Sequence, residues 1–88
     1  MSENSIQAQK SSQLLEVESW LIAYIAKVME IESEKIEITI PLEQYGLDSR
    51  TALGMIADLE DKFGGEIDPT LIYQNPTIES LAKHLLAK

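Results

Sequence analysis

The sequence of 88 residues contains no cysteine, a single histidine and only seven basic residues. Without cysteine the chain can form neither a disulfide framework nor a thiolate metal site, so packing alone must stabilise the fold. The hydrophobic fraction of 44% is ordinary for a globular protein. The length allows one small domain, which can bury only about two-thirds of its unfolded surface.

Acidic residues outnumber basic ones by 15 to 7, which gives a formal net charge of −8. Such a surface repels phosphate backbones and anionic lipids, so nucleic acids and membranes are poor partners. It favours docking onto basic patches of other proteins, although a merely soluble acidic surface is the alternative. The segment Met1–Lys10 does not resemble a signal peptide, and no apolar run is long enough to span a bilayer. We therefore expect a cytoplasmic monomer.

Apolar spacing predicts a long first helix after a disordered lead-in over residues 1–10, and we expect residues 11–88 to form the domain. The helix should begin at Ser11 or Ser12 and end near Met29, because apolar residues recur three and four positions apart. The residues of this face are Leu14, Val17, Leu21, Ile25 and Val28, widened by Trp20, Ile22 and Tyr24. We expect Trp20 and Tyr24 to pack against the loop that follows.

The segment 30–48 has no sustained helical pattern and is predicted to be a long loop. Pro41 interrupts any long element, and the alternation over Ile36–Ile40 has no second strand with which to pair. A brief helical turn near Ser33–Ile36 is compatible with this loop. Its isoleucines and Leu42 are expected to anchor it on a helical core.

A second helix is predicted over Ser49–Phe63, because Gly64 and Gly65 end it as C-terminal glycines commonly do. Its buried face should contain Ala52, Ile56, Leu59 and Phe63, with Met55 at the edge.

A short third helix over Pro69–Tyr73 should follow an Asp68 cap, and Thr77 should cap the last helix. The last helix should bury Ile78, Leu81, Ala82 and Leu85. The predicted fold class is therefore all-α: a four-helix bundle with three longer helices, one short third helix and a long first loop.

The segment Tyr45–Arg50 is a turn that delivers Ser49 to the first turn of a helix. Unpaired backbone N–H groups and the positive helix end favour an esterified phosphate on the serine, although an ordinary capping serine is the alternative. A Ser–His–acid triad is disfavoured because His84 lies far along the chain and the turn lacks the second glycine of a nucleophile elbow. We therefore predict a serine that another enzyme modifies, and no catalytic residue.

A cluster of acidic residues in the second half of the chain invites a calcium hypothesis. Its spacing does not match an EF-hand, and several of its members point in different directions from a helix. We predict a solvated or docking face and no metal site; the residues are Asp58, Glu60, Asp61, Glu66 and Asp68.

Four sets of residues carry a resemblance to a known family: Gly46–Ser49, Glu60, Asp68–Tyr73, and Asn75–Ile78 followed by Leu81 and Ala82. In this order they resemble the carrier proteins of fatty acid, polyketide and nonribosomal peptide synthesis. The resemblance covers roughly residues 14–86, and the chain is most similar to the acyl carriers of polyketide synthases.

In that family the serine matching Ser49 carries a 4′-phosphopantetheine arm, which a phosphopantetheinyl transferase transfers from coenzyme A. Acyl intermediates are bound to the thiol of the arm as thioesters, so in this family the arm brings the thiol that a chain without cysteine lacks. It also implies that Asp48 lies beside the attachment point and docks the transferase. The implied function is an acyl carrier protein, not an enzyme. A peptidyl carrier and an unmodified structural or protein-interaction bundle are the alternatives.

The resemblance further implies that partners dock on the exposed face of the second helix. The partners would be the transferase, an acyl-loading enzyme (an adenylating ligase or an acyltransferase), and a ketosynthase or other synthase domains. The matching docking residues are Arg50, Leu53, Gly54, Ala57, Asp58 and Asp61. Many family members have a leucine where this chain has Arg50, so its partner preference should differ. For a groove that holds the arm, we predict a lining of Met55, Ile56, Leu59 and Ile72.

Overall fold

The computed structural model describes the backbone of residues 2–86 and the side chains of residues 12–86. Its helices are α1 (Ser2–Met29), α2 (Ser49–Phe63), α3 (Leu71–Gln74) and α4 (Ile78–Leu86). Short 3-10 turns at Ser33–Lys35 and Leu42–Tyr45 lie in the loop between α1 and α2. Within residues 2–86 there is no strand, only an isolated bridge between Pro41 and Thr77. The predicted all-α class with one short third helix is confirmed.

Helix α1 begins at Ser2, so the start predicted at Ser11 or Ser12 is wrong. The segment before Ser11 contains neither glycine nor proline, so nothing in it breaks a helix that continues towards the N-terminus. The disordered lead-in over residues 1–10 and its boundary with the domain at residue 11 stay predictions.

The buried face of α1 follows the predicted spacing through Val17, Leu21 and Ile25. Val28 continues the spacing but is 44% exposed, because it lies in the last turn of the helix, where the chain leaves the core. Glu18 is the one charged residue buried among the side chains that the structure describes, and it lies near Glu79 and Lys83 of α4.

The first loop crosses the bundle and is fixed to the junction of α3 and α4. Ile36 and Leu42 are buried, as expected of anchors. The Leu42 N–H donates to the carbonyl of Pro76 at 2.8 Å, and the Glu79 N–H donates to the carbonyl of Ile38 at 3.0 Å. The turn predicted near Ser33–Ile36 is confirmed, whereas the turn at Leu42–Tyr45 was not predicted.

Helix α2 has the predicted bounds. At its C-terminal end the Gly64 N–H donates to the carbonyl of Glu60 at 2.7 Å. Helix α3 begins at Leu71, later than predicted, because the Leu71 N–H first donates to the carbonyl of Asp68 in a tight turn. Thr77 caps α4 as predicted: its Oγ1 accepts the Ser80 N–H at 3.1 Å, and the Thr77 N–H donates to the Ser80 hydroxyl.

One hydrophobic cluster joins all four helices and the first loop. Its largest fully buried side chains come from α1, α2 and α4 and are Leu21, Ile25, Met55, Leu59, Ile78 and Leu81. Phe63 was predicted to be buried but is exposed, and it packs edge-on against Trp20 with ring centroids 6.2 Å apart. This core fixes the direction of α2, and therefore the place of its first turn.

Candidate functional site

The chain turns sharply just before α2. Gly46 has a φ of 92°, in the left-handed region that favours glycine, and its N–H donates to the carbonyl of Glu43 at 3.0 Å. A Cβ at this position would also lie 3.0 Å from the methyl carbon of Met29. Leu47 follows and packs, half-buried, against the core. The turn therefore redirects the chain while Leu47 fixes it to the bundle.

Asp48 is the N-cap of α2. Its Oδ1 accepts the Thr51 N–H at 2.8 Å, and its carbonyl accepts the Ala52 N–H at 2.9 Å. The hydrogen bonds from Thr51 and the positive charge of Arg50 hold the pKa of this exposed carboxyl below its usual value. Asp48 is thus an ionised cap with a defined orientation, and it makes a weak general base.

Ser49 is the first residue of α2 and is exposed. Among the described residues, no hydrogen bond or ion pair engages its hydroxyl. The amides of a first helical turn have no intrahelical acceptor, and Asp48 satisfies only that of Thr51. The serine oxygen therefore lies beside open N–H donors, at the positive end of the helix.

A groove of about 310 Å³ runs from Ser49 between the start of α2 and α3. No histidine, lysine or cysteine lines it, so neither an imidazole nor an amine is there to activate the serine, and the carboxylates in its lining are those of Glu43 and Asp48. The walls are mostly apolar, and the lining residues are Leu42, Glu43, Leu47, Asp48, Ser49, Ala52, Leu53, Pro69, Ile72, Tyr73 and Pro76.

The groove differs from the one predicted. Ile72 lines it as expected, but Met55, Ile56 and Leu59 do not, because all three are buried in the core. The prediction missed Leu53 and Tyr73, which are 52% and 72% exposed. Two large apolar side chains left in solvent on neighbouring elements are the signal that could have identified the groove.

The six residues predicted to form the docking face are all exposed: Arg50, Leu53, Gly54, Ala57, Asp58 and Asp61. These residues do not all lie beside the same part of the molecule. Leu53 lines the groove, whereas Gly54 and Asp58 lie towards Tyr24 of α1. Their role in docking stays a prediction.

Trp20 and Tyr24 contact α2, which was not the predicted neighbour. Their rings are stacked with centroids 5.2 Å apart, and a Cβ at Gly54 would lie 3.5 Å from the Tyr24 hydroxyl. Burial and a hydrogen bond to the Asp58 carboxylate raise the pKa of Tyr24. The aromatic side chains therefore support α2 from the side opposite the groove.

The remaining candidates do not join the site. His84 lies in the last turn of α4 and does not line the groove. Among the side chains that the structure describes, no group of three acidic, histidine or cysteine residues is placed to hold a metal ion. None of the helices in the described part of the chain is long and apolar enough to cross a membrane.

Comparison with known proteins assigns this arrangement to a family. The family described as "Phosphopantetheine attachment site" matches residues 19–85. The acyl carrier protein TtuC of Teredinibacter turnerae is 38% identical over 73 residues, which cover 83% of this chain and 84% of TtuC. The polyketide synthase PksL of Bacillus subtilis is 32% identical over 73 residues, which cover 83% of this chain but only 2% of that synthase.

Two solved structures share the fold. A free-standing peptidyl carrier protein from an Acinetobacter baumannii secondary metabolic pathway has a TM-score of 0.79 and 36% identity, over 85% of this chain and 94% of that one. The acyl carrier protein LipD from Actinoplanes friuliensis has a TM-score of 0.69 and 39% identity, over 84% of this chain and 82% of that one.

The helical fold, the exposed serine in the first turn of α2 and the adjoining groove define a small carrier protein, which tethers its cargo and does not catalyse. The chain belongs to the phosphopantetheine attachment site family and is related to the carriers of polyketide synthases. The cofactor of this family is 4′-phosphopantetheine, and the donor set here fits it. An exposed hydroxyl and open helix N–H groups suit a phosphodiester, while the apolar groove suits the uncharged part of the arm.

Proposed function

We propose that Ser49 is the attachment residue for 4′-phosphopantetheine and that the chain is an acyl carrier protein. The single observation that carries this is the exposed, unengaged Ser49 hydroxyl, which lies at the mouth of an apolar groove and at a capped helix N-terminus. The first-turn amides of α2 would hold the phosphodiester, and Leu53, Ile72 and Tyr73 would contact the arm. The arm supplies a thiol on which acyl groups form thioesters.

Attachment requires a partner enzyme, because the groove contains no imidazole or amine to take up the serine proton, and the carboxylate of Asp48 beside Ser49 is a weak base. The Ser49 oxygen forms a bond to phosphorus while the pyrophosphate bond of coenzyme A breaks. The adenosine-bisphosphate part leaves, and a base of the transferase takes the serine proton. Asp48 is suited to docking this enzyme, since its carboxyl is exposed, ionised and fixed in direction by Thr51.

The attachment residue can be tested by intact mass. Incubation of the apo-protein with coenzyme A and a broad-specificity phosphopantetheinyl transferase should add one phosphopantetheinyl group. Ser49→Ala should accept none, whereas Ser33→Ala, which alters an exposed serine at the start of another helical turn, should be modified normally. Full modification of Ser49→Ala would refute the assignment. Failure of the wild type with several transferases would favour an unmodified interaction bundle.

For the docking face, we propose the exposed surface formed by Arg50, Leu53, Gly54, Ala57, Asp58 and Asp61. The charge on this surface changes from positive beside Ser49 to negative further along α2, so a partner should present basic residues to Asp58 and Asp61. Its proposed partners are the transferase, an acyl-loading enzyme and synthase domains such as a ketosynthase.

A peptidyl carrier is the second candidate, favoured by the likeness to the Acinetobacter baumannii peptidyl carrier. The acyl carrier is preferred because the curated relatives TtuC and PksL are named as an acyl carrier protein and a polyketide synthase. Loading the holo-protein decides between them. Acylation by an acyltransferase or an acyl-adenylating ligase supports the acyl carrier. Exclusive aminoacylation by an amino-acid-adenylating enzyme supports the peptidyl carrier.

A further inference from the structure

Tyr45 lies four residues before Ser49, and its hydroxyl is bound to a distant point of the first loop. The Glu37 N–H donates to the Tyr45 hydroxyl oxygen at 2.7 Å. The same hydroxyl donates to the Glu37 carbonyl at 3.2 Å. One side chain thus satisfies both backbone polar groups of one residue. The tyrosine ring packs, half-buried, against the core.

Glu37 is itself fixed on both sides. The Ile36 side chain before it is buried in the core. The Ile38 carbonyl after it accepts the Glu79 N–H at 3.0 Å, in the first turn of α4. The Tyr45 hydroxyl is therefore bonded to a point that the core and α4 already hold in place.

Little freedom is left between Tyr45 and the serine. Tyr45 ends a 3-10 turn, Gly46 is bonded to Glu43, Leu47 is packed on the core, and Asp48 caps α2. Any shift of the Tyr45 backbone would be transmitted to the first turn of α2. The hydroxyl thus connects the position of Ser49 to the start of α4.

We propose that Tyr45 is a positioning residue for the modification of Ser49, which it serves by binding the backbone of Glu37. This rests on the proposed role of Ser49. The hydroxyl keeps the turn in the conformation that a transferase must bind, so its loss adds an ordering cost to docking and leaves the chemical step unchanged.

Tyr45→Phe tests the proposal, because it removes the hydroxyl and keeps the ring. With apo-protein, coenzyme A and a broad-specificity transferase, the KM for the carrier should rise about three- to tenfold, as expected for one hydrogen bond, while kcat stays within about twofold. Ser80→Ala is the matched control: it also removes a part-buried hydroxyl that accepts from the N–H and donates to the carbonyl of one residue, Thr77, but it lies outside the groove and the proposed docking face. Its KM should stay within about twofold of the wild type. An unchanged KM for Tyr45→Phe overturns the proposal.

Amide exchange gives a readout that does not depend on modification. The Glu37 N–H should be protected in the wild type, and its exchange should accelerate at least about tenfold in Tyr45→Phe. It should not accelerate in Tyr24→Phe, which also removes the hydroxyl of a half-buried tyrosine but one that is bonded to Asp58 and not to the first loop. Unprotected exchange of Glu37 in the wild type overturns the proposal even if the variant fails to fold. If Ser49→Ala is still modified, the attachment site is wrong, while exchange at Glu37 still reports whether the hydroxyl holds the loop.

Discussion

The α1–α4 interface and the two ends of α2 are held by different kinds of contact. Leu21 and Ile25 of α1 meet Ile78 and Leu81 of α4 in the fully buried core. The ends of α2 are instead fixed by side chains bonded to backbone: Asp48 binds the Thr51 N–H, and Glu60 binds the Ile67 N–H at 2.5 Å.

This difference separates what supports the bundle from what shapes the site. Packing is non-directional, so many apolar side chains of suitable size can serve in the core. A bond from a carboxylate to one amide is directional, and it fixes where a helix begins or where a loop returns. We therefore expect large losses of stability from the interface and smaller, more local effects at the ends of α2.

The largest effect should come from Leu81→Ala. Leu81 is fully buried, so the change should lower the free energy of unfolding by about 2–5 kcal/mol. Urea unfolding followed by circular dichroism measures this loss. Leu53→Ala is the control: it is exposed at the groove, and its effect should stay within about 0.5 kcal/mol. Equal losses of unfolding free energy in the two variants would contradict the conclusion that packing holds the core.

An intermediate effect is expected from Glu60→Ala. The change leaves the N–H of the buried residue Ile67 without its acceptor, so unfolding should become easier by about 1–3 kcal/mol. The same urea titration measures it, and faster exchange of the Ile67 amide should accompany it. Glu66→Ala removes an equal charge from a neighbouring exposed residue and should have little effect. If both variants lose the same stability, net charge and not the hydrogen bond is responsible.

The smallest effect should come from Glu18→Gln, which tests a carboxyl buried in the packed interface. Burial, and then the carboxylate of Glu79, raise the pKa of Glu18 above its ordinary 4.5, while Lys83 opposes the shift. The folded state therefore holds this proton more tightly than the unfolded state, so the contribution of Glu18 to stability falls as the pH rises above about 4.5.

Glu18→Gln should accordingly gain stability over the wild type as the pH rises, and the gain should become constant above the folded-state pKa of Glu18. Urea titrations between about pH 4 and pH 7 measure the difference. Glu16→Gln is the control for the loss of one charge, since Glu16 is exposed on the same helix. A constant difference between Glu18→Gln and the wild type at every pH would contradict the linkage.

Helix spacing predicted most of the core, because burial along a helix repeats with the period of the helix. Val17, Leu21 and Ile25 lie where the pattern predicts, and α2 has the predicted bounds. The pattern was wrong for Val28 and Phe63, which lie in the last turns of their helices. Periodicity identifies a face but does not tell where the neighbouring helix stops covering it.

The site was predictable only in part. Local sequence predicted the turn and the place of Ser49 in the first turn of a helix, since each depends on residues close in the chain. It offered Ser49 as the possible cap of α2, whereas the cap is Asp48. The groove lining was wrong at Met55, Ile56 and Leu59, because the choice between core and groove depends on how α3 lies against α2. The bond from Tyr45 to Glu37 spans eight residues of irregular chain, and no sequence pattern indicates it.

The cap at the start of α2 also affects how tightly a partner can bind there. A free aspartate samples several rotamers, and a complex that uses it loses that freedom on forming. Because Oδ1 of Asp48 is already bonded to Thr51, folding has immobilised the side chain before any partner arrives. An enzyme that hydrogen-bonds to this carboxylate therefore meets a pre-organised acceptor, and the entropy lost on association is correspondingly smaller.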